Sequence, residues 1–235
     1  MVEPLFQVKV TCPHCESEYK TSRVRPSFKK ASGTDTDFYV RYKEINPDYY
    51  VVRVCPSCGF SCTENSTDRL HSVQKQAFSE KVGDQWTNKD YGGERNWEDA
   101  LYTYKLALLC AQTIKEKNRI TAGLLHHIAW LYRDRGDLDQ EKRFLSYAMD
   151  EYTRVFETEG NELNNARLMY LIGELNRRLK NYNQAVRWFA RVINDRRIMD
   201  AAMIRACREQ WAVTREDMRA EQFELDEEAK LLKEI

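Results

Sequence analysis

The sequence predicts an α+β fold in which a small β-rich module with four paired cysteines precedes an all-α helical-repeat domain. The four cysteines form two Cys-x-x-Cys pairs, and the last of them is Cys58. All five prolines precede residue 57, whereas all five tryptophans follow residue 85. A long run without proline favours helices, because proline lacks an amide hydrogen and clashes with the preceding helical turn. We therefore expect two domains, 1–66 and 67–235.

The two cysteine pairs predict a metal centre. They occur in the segments Cys12-Pro13-His14-Cys15 and Cys55-Pro56-Ser57-Cys58. Two such pairs supply the four thiolates that hold structural zinc in a tetrahedral shell, and doubled spacing of this kind is seldom a coincidence of unrelated thiols. The expected zinc ligands are Cys12, Cys15, Cys55 and Cys58. Four sulfurs close the shell to substrate and water, so we expect no zinc catalysis and no enzyme.

One alternative for the first pair is redox chemistry. Cys-Pro-His-Cys resembles the active-site motif of oxidising thioredoxin-fold enzymes, in which Cys12 and Cys15 would exchange disulfides. We disfavour a thiol redox enzyme, because a second pair is present and strands follow the first. His14 or Cys62 could replace a ligand, but four cysteines already complete the shell.

Alternating apolar and polar residues predict strands around both cysteine pairs. The expected strands are Leu5–Val10, Tyr19–Val24, Phe38–Ile45 and Tyr49–Val54. Gly59 directly follows the second pair and supplies a position with positive φ. The order of strand, cysteine turn, strands and cysteine turn is typical of a zinc ribbon, a sheet too thin to be stable without its metal.

Beyond residue 66 the apolar spacing becomes helical. The predicted helices include Asp68–Lys81, Ile120–Arg135, Asn164–Leu179 and a C-terminal capping helix over Ala201–Glu234. Apolar positions also recur with a period of 41 and then 44 residues. The three series are Trp97, Ala100, Tyr104 and Ala107; Leu138, Glu141, Leu145 and Ala148; and Tyr182, Ala185, Phe189 and Val192. Helix pairs repeated at this length bury their apolar faces by stacking on their neighbours.

These helix pairs resemble tetratricopeptide repeats. The segment Ile128-Ala129-x-x-Tyr132-x-x-x-Gly136-x-Leu138 fits that pattern, although Glu141 stands where a small residue is usual and the period is longer. The resemblance implies an inner groove for a protein or peptide partner. Aromatic and arginine side chains, which are enriched at binding hot spots, are expected to line it. The expected groove residues are His126, Trp130, Arg133, Arg167, Tyr170, Glu174 and Arg177. The alternative is that these side chains are merely solvated, or are covered by the C-terminal helix.

A basic stretch between the cysteine pairs provides an alternative function. Its cationic side chains could contact phosphates and make the module a nucleic-acid-binding zinc ribbon. These residues are Lys20, Arg23, Arg25, Lys29 and Lys30. A solvated surface is the simpler interpretation, because 37 basic and 37 acidic residues cancel over the whole chain.

The remaining composition predicts a cytoplasmic protein. The N-terminal residues have no apolar signal region, and no later run reaches the roughly 18 apolar residues of a membrane span. Seven cysteines, four of them paired for metal, indicate a reducing compartment. We therefore expect no membrane partner.

The N-terminal half resembles a bacterial family catalogued as a domain of unknown function, number 2225. The segments that carry the resemblance are Val10-Thr11-Cys12-Pro13-x-Cys15, Asp35-Thr36-Asp37-Phe38 and Asn46-Pro47-x-Tyr49-Tyr50, followed by Cys55-Pro56-x-Cys58-Gly59-Phe60. The resemblance implies a zinc-ribbon-like part followed by tetratricopeptide-like helices, and it brings no established activity. It also implies a small residue at the position of Cys62, which is therefore expected to be a spare thiol. We expect a non-enzymatic, zinc-binding adaptor or scaffold for protein–protein interaction.

Overall fold

Three short hairpins and a series of helices make up the chain in the computed structural model, which describes residues 2–159 and 165–231. The Cα packing divides the chain into two compact units, Met1–Glu151 and Tyr152–Ile235. The predicted α+β class is confirmed. Strands end before residue 66 and helices begin at Ser72, as the composition indicated. The hydrophobic core of the first unit, however, includes side chains on both sides of residue 66, and the domain boundary itself stays a prediction.

The first unit opens with three antiparallel hairpins, each a separate two-stranded sheet. Strands β1 (Leu5–Thr11) and β2 (Glu18–Val24) pair from Leu5 opposite Val24 to Thr11 opposite Glu18. The second hairpin joins β3 (Ala31–Thr34) to β4 (Val40–Tyr42), and the third joins β5 (Arg53–Val54) to β6 (Ser61–Cys62). The turns of the first and third hairpins contain the two cysteine pairs.

Two of the predicted strands are wrong in extent. Phe38–Ile45 contains only the three residues of β4. Tyr49–Val54 begins with a 3₁₀ turn, Pro47–Tyr50, and only its last two residues form β5. Asn46 caps this turn by accepting a hydrogen bond from the amide of Asp48 at 3.0 Å, so local proline and asparagine chemistry overrides the strand preference of Tyr49 and Tyr50. The short strands β3 and β6 were not predicted.

Helices complete the first unit. They are α1 (Ser72–Lys81), α2 (Trp97–Thr113), α3 (Asn118–Asp134) and the first part of α4 (Leu138–Glu159). Their apolar side chains share one core with the hairpins, in which Val52, Phe60, Phe78, Tyr104 and Ile128 are almost completely buried. The third hairpin therefore packs on helices rather than forming a free-standing sheet.

The second unit contains the end of α4 and three further helices. These are α5 (Ala166–Arg178), α6 (Tyr182–Asn194) and α7 (Ala201–Leu231). Helix α7 packs on both α5 and α6, and it is continuous over its described length. The predicted helix start at Asn164 and the predicted end at Glu234 lie outside the described residues.

Candidate metal centre

Each cysteine pair lies in a tight turn with the same backbone hydrogen bonds. In the first turn the amide of Glu16 donates to the carbonyl of Cys12 at 3.0 Å, and in the second the amide of Gly59 donates to the carbonyl of Cys55 at 2.8 Å. The fifth residue has a positive φ in both turns, 63° at Glu16 and 76° at Gly59. The positive φ predicted for Gly59 is confirmed. The two turns therefore point their thiols in equivalent ways.

The two turns bring the four sulfurs together. All four Sγ atoms lie within 4.8 Å of one another. The Sγ atoms of Cys12 and Cys58 are 3.7 Å apart, and those of Cys15 and Cys55 are 3.6 Å apart. A tetrahedral zinc ion with Zn–S bonds of about 2.3 Å requires sulfurs about 3.8 Å apart. These sulfur–sulfur distances far exceed the length of a disulfide bond, and all seven cysteines are free thiols. The cluster could therefore hold a metal ion.

Hydrogen bonds within the cluster shift the pKa values of its thiols. Contacts with Cys12 and then Cys58 hold the pKa of Cys55 well below its ordinary value, whereas contact with Cys55 raises the pKa of Cys12, and contacts with Cys12 and then Cys55 raise that of Cys58. One thiolate is thus stabilised by its neighbours. The hydroxyl of Ser17 also lies 2.9 Å from Cys15 Sγ and 3.4 Å from Cys55 Sγ. Ser17 is a contact that the cysteine spacing did not reveal.

Trp86 covers the second cysteine turn. Its indole nitrogen donates to the carbonyl of Pro56 at 2.8 Å. A Cβ added at Gly59 would lie 2.5 Å from the Trp86 ring. The turn therefore requires glycine for two independent reasons, backbone conformation and space.

His14 and Cys62 lie near the cluster but bond elsewhere. The His14 Nε2 atom is 3.0 Å from Ser79 Oγ and 3.2 Å from the Lys75 carbonyl, and the ring packs against Phe78 with centroids 4.6 Å apart. Cys62 lies in β6, where burial raises its pKa to about 11. Neither residue belongs to the group of four mutually close sulfurs.

The expected groove residues of α3 are engaged within the first unit. Arg133 donates to both carboxylate oxygens of Asp37, at 3.0 and 2.7 Å, and to Glu141 at 2.7 Å. The Trp130 indole donates to Asp37 at 3.1 Å. His126 and Asp37 are both almost completely buried. The loop between β3 and β4 thus covers this part of α3, a contact that we did not predict from the sequence.

The expected groove residues of α5 are also largely enclosed. Tyr170 and Glu174 are buried, and Arg177 pairs with Glu174 at 2.9 Å and with Asp217 of α7 at 2.8 Å. Arg167 is exposed. The role of these seven residues in binding a partner stays a prediction.

Most of the predicted nucleic-acid-binding residues are paired with acidic or backbone groups. Arg23 forms an ion pair with Glu64, and Lys30 lies 3.1 Å from Glu44. Arg25 donates to the carbonyl of Glu3 at 2.9 Å. Lys20 and Lys29 are exposed. The positive charge of this stretch is therefore partly neutralised, and its binding role stays a prediction.

The hairpins, helices and cysteine cluster together define an α+β protein with a candidate four-thiolate metal centre. The chain belongs to a family of uncharacterized proteins conserved in bacteria, DUF2225, whose model matches residues 5–214. This family is the one that the sequence resembled. No curated protein and no solved structure matches the chain. Within the described residues, no helix has both the length and the apolar character needed to cross a membrane.

Proposed function

We propose that the protein is a non-enzymatic adaptor in which a structural zinc ion stabilises the N-terminal hairpins. The observation that carries this proposal is the set of four sulfurs, within 4.8 Å of one another, supplied by two equivalent turns. Thiolates are preferred ligands of zinc, and a shell of four closes the ion to substrate. In this proposal the first and third hairpins form a zinc ribbon.

The zinc assignment is tested by metal content. Elemental analysis of the purified chain is expected to give one zinc per molecule, and Cys55→Ser is expected to abolish stoichiometric zinc. Cys62→Ser is the matched control, because Cys62 is also buried but lies outside the cluster. A metal-free chain that retains the fold, or zinc retained in Cys55→Ser, would contradict the proposal.

The helices are proposed to form tetratricopeptide-like pairs. The last three positions of each recurring series are buried, whereas Leu138, a first position, is exposed. The buried sets are Ala100, Glu141 and Ala185; Tyr104, Leu145 and Phe189; and Ala107, Ala148 and Val192. At Gly173 an added Cβ would lie 2.6 Å from Phe189, which explains the small residue where α5 meets α6. Short connections such as Leu179–Asn181 favour adjacent antiparallel helices. Helix pairs of this type bind protein segments.

Partner binding is tested on α5 and α6. Arg133 and Arg177 are unsuitable for charge reversal, because their side chains are only 12% and 18% exposed. Arg167→Glu changes an exposed member of the expected groove, and Arg187→Glu changes an exposed arginine of α6 that lies outside it. Affinity capture from bacterial cells, quantified by mass spectrometry, is expected to lose specific partners with Arg167→Glu alone. Equal partner lists for wild type and both variants would count against the groove.

A further inference from the structure

A cavity in the first unit collects basic side chains. It has a volume of about 290 Å³ and lies between the first hairpin and the segment around Pro47–Arg53. Three basic residues, Arg23, Lys29 and Arg53, line it together with two acidic residues, Asp48 and Glu64. The cavity is separate from the cysteine cluster, because none of the four cysteines lines it.

Glu64 occupies the basic part of this cavity. One of its carboxylate oxygens, Oε1, forms ion pairs with Nη2 of both Arg23 and Arg53. Its side chain is 53% exposed, whereas that of Arg53 is 21% exposed. The two arginines therefore converge on one anionic group that reaches them from the solvent side. Burial, and then repulsion by Arg53, lowers the pKa of Arg23.

A second, apolar cavity adjoins the first. It has a volume of about 190 Å³. Val51, Thr63 and Asn65 line both cavities, so the two are adjacent, and we refer to them together as the cleft. The second part is lined mainly by side chains of α2 and α3. These are Tyr104, Arg119, Ile120, Leu124 and His127, with Gly123 between them.

The charges and the two-part shape define the ligand. When Glu64 moves out, three basic residues face the single carboxylate of Asp48, whose pKa is raised by burial. This excess of positive charge matches a phosphate monoester, which carries a charge of about −1.5 to −2 near pH 7. Guanidinium groups bind phosphate oxygens in a bidentate manner. The apolar part of the cleft would then enclose the organic body of the ligand.

We propose that this cleft binds an organic phosphate monoester, with Arg23, Lys29 and Arg53 at the phosphate and the α2–α3 side around its apolar body. Glu64 is an internal competitor that occupies the phosphate position in the absence of ligand. The site goes beyond the proposed adaptor role and does not depend on it.

Isothermal titration of the purified full-length chain tests the site with three probes: inorganic phosphate, hexyl phosphate and adenosine monophosphate. Hexyl phosphate or adenosine monophosphate is expected to bind more tightly than inorganic phosphate, and the tighter of the two identifies the body as alkyl or nucleoside. Equal, non-saturable heats for all three probes, in wild type and in Glu64→Gln, would overturn the proposal.

Variants separate the two parts of the cleft. Arg53→Gln is expected to lower the affinity for the tighter-binding organic probe about tenfold or more, because a charge-assisted hydrogen bond is lost. Arg41→Gln is its matched control, since Arg41 pairs with Asp35 and lies outside the cleft. Ile120→Asn is expected to weaken binding of the organic probe and to leave the affinity for inorganic phosphate unchanged.

Removing the internal competitor is the sharpest test. Glu64→Gln is expected to strengthen binding of every phosphate probe, whereas Glu44→Gln, which removes a similarly exposed carboxylate paired with Lys30, is expected to have no effect. Lys29→Gln provides a second loss variant at an exposed position, and each variant is checked for unchanged circular dichroism. Unaltered affinity in Arg53→Gln, Lys29→Gln and Glu64→Gln would overturn the assignment of the phosphate position.

Discussion

Gly59 is the residue at which backbone conformation and packing combine most clearly. Its φ of 76° lies in the left-handed region, and the Trp86 ring leaves no room for a Cβ. Glu16 holds the equivalent position of the first cysteine turn with a φ of 63° and carries a side chain there. At the second turn, the close approach of the Trp86 ring adds to the conformational preference for glycine.

We expect Gly59→Ala to destabilise the protein by about 2–4 kcal/mol, because left-handed backbone strain adds to overpacking against Trp86. Urea denaturation followed by tryptophan fluorescence measures the change. Gly93→Ala is the matched control, since an added Cβ there would meet nothing within 4 Å. If Gly59→Ala lowers the free energy of unfolding by less than about 0.5 kcal/mol, the turn tolerates side chains at this position.

The residues of the metal centre were predictable and most of their surroundings were not. Cysteine spacing is local and identified all four sulfurs of the cluster. In contrast, no pattern indicated the partners of Glu64 or of Asp37, although Asp37 lies in a segment that carries the family resemblance. Their roles depend on Arg133 in α3 and on Arg23 and Arg53 in the hairpins, and contacts between such distant parts of the chain are set by tertiary packing.

Long elements were predicted more accurately than short ones. The expected strands Leu5–Val10 and Tyr19–Val24 match β1 and β2 to within one residue. The helix expected over Ile120–Arg135 is observed over Asn118–Asp134, because its apolar spacing extends over several turns. The strands β5 and β6 have only two residues each, too few for alternation to be visible. Short strands of this kind are held by their turns and by the helices packed on them.

Two glycines in helices should respond oppositely to alanine. In α5, Gly173→Ala is expected to destabilise by about 1–3 kcal/mol, because the new methyl group would overlap the Phe189 ring. In α3, Gly123→Ala is expected to stabilise by up to about 1 kcal/mol, because an added Cβ meets nothing within 4 Å and alanine favours the helix. Thermal denaturation of both variants measures whether each change raises or lowers the stability. The same sign for both would contradict the packing described at Gly173.

The whole chain consists of two compact units, and the cysteine cluster lies in the first. The composition predicted a change of structure near residue 66, which marks where strands give way to helices. It could not indicate a division at Glu151, because that division falls inside the single helix α4. Units defined by packing and domains defined by composition therefore differ in this chain.

Metal removal should affect the two units differently. Treatment with a strong chelator is expected to increase amide hydrogen exchange in β1, β2, β5 and β6, because a ribbon of this size depends on its metal for stability. Exchange in α5 and α6 is expected to stay unchanged, since no cysteine of the cluster lies in the second unit. Mass spectrometry of peptic fragments measures both. Increased hydrogen exchange in both units, or in neither, would contradict a local stabilising role of the metal.

The position of the cysteine pairs also has a consequence for biosynthesis. The ribosome has added all four cysteines of the cluster once it reaches Cys58, whereas the core side chains of α2 and α3 extend to Tyr132. At elongation rates of about 5–20 residues per second, that interval lasts roughly 4–15 s. A nascent chain could therefore capture its ion on the ribosome, and the helices made afterwards would meet hairpins that are already assembled.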